Sequence, residues 1–131
     1  NRDTHKIVGA VGRALNKNEF PKWFMYGNKD IPFKCGVCED AVIVEDCPSA
    51  CAVSNILTGI SIMGTKLKRT HMDHIKPYKN LYVCLDRDAT TKAYDMAKDL
   101  RSSGFENVIV KPLEDDLKYY NTEQVRDIFY E

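Results

Sequence analysis

The sequence predicts an α/β fold, a parallel sheet with flanking helices, preceded by a small β-rich appendage. Three observations carry that reading. From residue 41 onward, short β-prone runs alternate with longer helical stretches, the pattern of βαβ units. Several of the runs are apolar without a break, as strands covered on both faces are. Acidic residues stand where three of those runs stop.

Residues 6–11 and 22–26 are strand-like, and Gly9, Gly12, Pro21, Gly27, Pro32 and Gly36 punctuate them into hairpin-sized pieces. No long amphipathic helix occurs there. Residues 1–40 are therefore expected to form the β-rich unit and residues 41–131 the α/β unit. In the latter, residues 41–44 (AVIV) form the first strand. A helix over 48–57 follows, with Pro48 in its first turn and Ala52, Val53, Ile56 and Leu57 on one face, stopped by Gly59. Residues 60–63 form the second strand, closed by Gly64 and Thr65, and 72–78 a short helix. Residues 81–85 form the third strand. A helix over 90–103 carries Ala93, Met96, Ala97 and Leu100 inward and ends at Gly104. Residues 108–110 form the fourth strand, and 122–130 a last helix with Thr122 as N-cap and Val125, Ile128 and Phe129 facing the core.

The chain has 131 residues, 44% hydrophobic and 29% charged, in the range of a globular protein with one core. Nineteen cationic residues balance 19 anionic ones, so nucleic-acid binding must rest on local patches rather than on net charge. No apolar run approaches the roughly 20 residues that span a bilayer, and no basic-then-apolar leader opens the chain. An intracellular, cytoplasmic chain is expected, and the first residue, Asn1, points to an excised or processed piece of something longer. Five cysteines, Cys35, Cys38, Cys47, Cys51 and Cys84, do not form an even disulfide framework. Cys35 and Cys38 have the spacing of half a zinc site, but no second CxxC or HxxxH follows. Cys47 and Cys51 could complete it only if the fold brings them near, and plain thiols are expected.

In a parallel α/β sheet, reactive groups collect at the carboxyl ends of the strands, where loops open into a crevice. Here the first strand ends at Glu45 and Asp46, the third at Asp86 and Asp88, and the fourth runs into Glu114, Asp115 and Asp116. Two carboxylates 4 Å apart repel by about 4 kcal/mol at an effective dielectric near 20. A divalent cation is the simplest relief, and an all-oxygen donor set selects Mg²⁺ or Mn²⁺. The competing reading is local: aspartates after strands serve as helix N-caps or turn formers, as Asp88 could for the helix after Ala89.

The stretches AVIVED, GISIMGTKL and LYVCLDRDATTKA resemble the Toprim domain of DNA primases, topoisomerases and some nucleases. In that pattern one strand ends in Glu, a later one ends in Asp-x-Asp, and an acidic loop follows. Glu45, Asp86 and Asp88 fall on the first two motifs. Gly64-Thr65, His74-Ile75, GRAL (Gly12 to Leu15) and PKW (Pro21 to Trp23) are similar to the primase branch, and EDCPSA resembles its phage-type variants. Departures stand at Ser49, where the family usually has Asp, at Thr90-Thr91, where a glycine is common, and in the third acidic motif. The resemblance implies a Rossmann-like Toprim sheet and a DNA primase, a nucleotidyltransferase making short RNA primers in DNA replication, in the cytoplasm or the phage-infected host cytoplasm.

By the same resemblance Glu45, Asp86 and Asp88 are catalytic, and with Asp115 and Asp116 they bind Mg²⁺ or Mn²⁺. Arg13, Lys22 and Trp23, with Lys66, Lys68 and Arg69, hold nucleic acid, two cations and an indole being a usual set for single strands. Its implied partners are a single-stranded DNA template, ribonucleoside triphosphates, a replicative helicase and a separate zinc-binding module, with no membrane. The alternatives are a Toprim nuclease and a non-catalytic Toprim module of a larger replication protein. His71 and His74 are read as surface or packing residues.

Overall fold

A computed structural model describes residues 9–13, 23–27, 30–113 and 117–130. The chain divides into two compact units, Asn1–Ile31 and Pro32–Glu131. In the first, β1 (Gly9–Arg13) pairs antiparallel with β2 (Trp23–Gly27). The register sets Arg13 opposite Trp23 and Gly9 opposite Gly27.

The second unit is a five-stranded mixed sheet with helices on both faces. Its elements are β3 (Phe33–Cys35), β4 (Ala41–Val44), α1 (Cys47–Ala52), β5 (Thr58–Ser61), α2 (Met72–Ile75), β6 (Leu81–Val83), α3 (Thr90–Ser102), β7 (Val108–Val110) and α4 (Thr122–Tyr130). The spatial order is β3-β5-β4-β6-β7. β5, β4, β6 and β7 run parallel, as expected, whereas β3 lies antiparallel on the outer edge of β5. Because Phe33–Cys35 joins this sheet, the division falls between residues 31 and 32, not after residue 40.

The side chains of the central strands alternate between two cores, as a period of two demands. Ala41, Ile43, Leu81 and Val83 face one side with Ile60, Ile75, Ala93, Met96, Ala97 and Leu100, under α2 and α3. Val42, Val44, Tyr82 and Cys84 face the other with Ala50, Val53, Leu57, Leu117, Val125 and Phe129, under α1 and α4. Fully burying one such large aliphatic side chain is worth about 1.5–3 kcal/mol.

Several boundaries differ from the sequence expectation: α2 ends at Ile75 rather than residue 78, β6 at Val83 rather than residue 85, and three further differences have a visible cause. α1 ends at Ala52 rather than residue 57: its apolar stripe runs on through a turn in which the amides of Ile56 and Leu57 both donate to the carbonyl of Val53. Gly59, expected as a helix stop, lies inside β5, which starts at Thr58. A Cβ there would fall 2.2 Å from the carbonyl oxygen of Ala50, so its bareness lets α1 press onto the sheet. Finally, Asn121 rather than Thr122 caps α4. Its Oδ1 accepts from the Gln124 amide at 2.8 Å while Gln124 Oε1 accepts from the Asn121 amide at 2.9 Å, a capping box. Among the described residues, no helix is long and apolar enough to cross a membrane.

Candidate active site

The chain leaves β4 toward β5 on one side and later returns past it to β6 on the other. Such a reversal opens a crevice at the carboxyl ends of the two strands. Glu45 directly follows β4, and Asp86 and Asp88 follow β6, so the topology puts all three on that rim.

The carboxylate of Glu45 accepts a hydrogen bond from the backbone amide of Asp86, with its Oε1 at 3.2 Å. The half-buried Glu45 carboxyl is pushed up to about 7, first by loss of solvent and then by the negative charge of Asp86, with a smaller push from Asp88. The same Asp86 charge reinforces burial in holding the Cys84 thiol up at about 12. The rim thus concentrates negative charge.

Helix capping does not account for the pair. Asp86 opens a short 3-10 turn at Arg87–Ala89 without a side-chain cap bond, and the cap of α3 is Ala89, again with none. Asp46 does take the local role: its Oδ1 accepts from the Ser49 amide at 2.8 Å and caps α1. The two readings separate residue by residue, Asp46 to the cap and Glu45 to the crevice.

Backbone bonds fix Glu45 from behind. Its carbonyl accepts from the Gly64 amide at 3.1 Å and from the Ser61 hydroxyl at 3.2 Å. Ser61, wholly buried, also accepts from the Met63 amide at 3.2 Å. Met63 sits at φ 54, a left-handed conformation costly for a side chain of its kind, and Gly64 at φ 156. The end of β5 is therefore bent back onto Glu45, and Ser61 pins the bend.

Lys66, Lys68 and Arg69 are exposed beyond that bend. The buried ring of His71 accepts the Lys68 amide on Nδ1 at 3.1 Å, so His71 is a packing residue, as expected. Lys92, in the first turn of α3, donates to Thr65 Oγ1 at 3.4 Å and adds a cation that the motif reading missed. Its signal was its place four residues after Asp88, in the opening turn of α3. Ser61 carried no such signal, since a serine inside a strand has none.

Lys22, Asp115 and Asp116 lie outside the described residues. Arg13 and Trp23 are in the first unit, opposite one another in its hairpin. Among the described residues, no group of three or more His, Cys, Asp or Glu side chains is disposed to hold a metal ion. Mg²⁺, however, takes one or two protein carboxylates and completes its shell with water and substrate phosphate, rather than using an all-protein cage. Glu45 and the pair Asp86 and Asp88, all hard oxygen donors, fit that demand. No family model and no curated protein matches this chain.

Proposed function

We propose that this chain is a Toprim-type DNA primase core that joins ribonucleotides on a single-stranded DNA template. The observation that carries the reading is the Glu45 carboxylate seated on the Asp86 amide and driven up to about 7 first by burial and then by the neighbouring acids. A structural carboxylate gains nothing from that placement. A site built to take a cation, or a proton near neutral pH, does.

In this proposal Asp86 and Asp88 hold Mg²⁺ or Mn²⁺, which when bound neutralises charge on the triphosphate and the leaving pyrophosphate. Glu45 accepts the proton of the primer 3′-hydroxyl, for which a carboxyl near 7 is well matched. Lys66, Lys68, Arg69 and Lys92 meet phosphate, and Arg13 and Trp23 hold template by charge and stacking. Asp115 and Asp116, a helicase and a zinc-binding module are assigned by the resemblance alone.

The test is synthesis. The chain is incubated with single-stranded template, labelled ribonucleotides and Mg²⁺ or Mn²⁺, and in parallel with labelled duplex and single-stranded DNA. Short metal-dependent oligoribonucleotides that vanish in Asp86→Ala are expected. Metal-dependent cutting of DNA without synthesis would replace the primase with a nuclease, and metal binding without either activity would leave a non-catalytic module.

A further inference from the structure

The proposed chemistry leaves four thiols beside α1 and β3 unused, and two of them are in contact. Three placements bring Cys35 and Cys51 together. Cys35 pairs in register with Gly59, the residue on which the backbone of Ala50 rests, so α1 crosses the sheet beside the end of β3. The next residue, Gly36, is pressed against the segment after α1: a Cβ there would lie 2.8 Å from the Leu57 carbonyl oxygen and 3.0 Å from that of Ser54. Cys35 itself packs against the core cluster that contains Ala50 and Val53, which flank Cys51 in the chain. This frame sets the Cys51 thiol beside Cys35, whose nearness helps hold it above its ordinary range.

The other thiols are placed differently. Cys47, one turn before Cys51 and close enough to act on it, also lies by Ser61, which lowers its value. Cys38 lies toward Tyr130, and Cys84 is buried in the sheet. No metal-binding group involves them among the described residues. Cys51 is exposed and Cys35 half-buried, so a small reagent can reach the pair.

We propose that Cys35 and Cys51 form a reversible redox couple, which low-molecular-weight disulfides oxidise to an intrachain bond tying edge strand β3 to α1. The Cys35 thiolate attacks one sulfur of the small disulfide RSSR and expels RS⁻, leaving Cys35 as a mixed disulfide. Cys51 loses its proton and attacks the Cys35 sulfur, expelling the second RS⁻. The two RS⁻ take up the two protons that the cysteines lost, so one disulfide is reduced to two thiols and two cysteines are oxidised to one disulfide. Partial loss of solvent at the sulfur and the neighbouring Cys35 hold the Cys51 thiol of the reduced pair up at about 11, and because the thiolate is the attacking form, exchange quickens with rising pH.

The bond would lock the helix that begins two residues after Glu45, yet the proposal does not depend on the primase reading. The whole chain is treated with oxidised glutathione at pH 8 and remaining thiols are alkylated before intact mass measurement and peptide mapping. Loss of two hydrogens, three alkylatable thiols in place of five, and a cross-linked peptide pair carrying Cys35 and Cys51 are expected, all reversed by dithiothreitol. Cys35→Ser and Cys51→Ser should each abolish the cross-link, and Cys47→Ser should keep it. Five alkylatable thiols, stable glutathione adducts alone, or a bridge between any other pair would overturn the proposal. The wild-type map decides the matter even if a variant fails to fold.

Discussion

The two rims of the sheet treat their carboxylates in opposite ways. At the amino ends of β4 and β6, Asp40 has a donor on each oxygen: Asn80 Nδ2 at 2.8 Å on one and the Tyr130 hydroxyl at 2.9 Å on the other. Tyr82 adds its hydroxyl to the carbonyl of Phe129 at 3.3 Å, and its ring meets that of Phe129 edge on. The Tyr130 hydroxyl is held above its ordinary range, first by burial and then by its bond to Asp40. At the carboxyl ends, Glu45 faces Asp86 and Asp88, taking the Asp86 backbone amide and a side-chain hydrogen bond with the Asp86 carboxyl, one acid against another. Where donors surround an acid, the acid is joinery. Where acids surround an acid, the proposed function has the cation bind.

Removing one charge on the crowded side should separate activity from stability most sharply. Asp86→Asn keeps the backbone amide that Glu45 uses, so it should cut metal-dependent primer synthesis by about 100-fold or more while thermal stability holds or rises. An equal fall in melting temperature would mean the pair is structural. The mirror experiment is Asp40→Ala, which strands Asn80 and Tyr130. It should cost about 2–3 kcal/mol in denaturant unfolding and leave Mn²⁺ binding by calorimetry unchanged; weakened binding would erase the distinction between the rims.

Proton linkage offers a finer test. Glu45 in the folded chain titrates near 7, above its ordinary 4.5, so between those values the native state holds a proton that the unfolded state has lost. Stability must then fall as pH rises through that window, by about 1 kcal/mol once screening of a half-exposed group is allowed for. Added Mg²⁺ should flatten the slope, and a profile rising from pH 5 to 7 would contradict the crowding. Smallest is the effect of Ser61→Ala, which loosens the Glu45 backbone without touching its charge. Mn²⁺ affinity should drop about three- to tenfold, and Ser61→Thr should recover part of it.

Much of the fold was legible because its pattern is local. The boundaries of β4, β7 and α4 match the expected 41–44, 108–110 and 122–130, and α3 ends one residue short of its expected limit. What escaped was set by distant partners. β3 has three residues and exists because β5 offers it an edge. Gly59 reads as a terminator until Ala50 is seen resting on it. In the site, the acids at the ends of β4 and β6 stood out because charges abut apolar strands, whereas Asp40 and Asp46 have the same letter and different neighbours. Ser61 acts on Glu45 through a contact that no spacing rule encodes, and Lys92, although spaced one turn after Asp88, meets a Thr65 hydroxyl that the sequence alone does not bring near.

The second core has a consequence for synthesis on the ribosome. Val42, Val44 and Tyr82 are made before Leu117, Val125 and Phe129, which help to cover them. Until those later residues emerge, the part of this face that α1 leaves uncovered remains an apolar surface in search of a lid, the state most exposed to chaperones and to self-association.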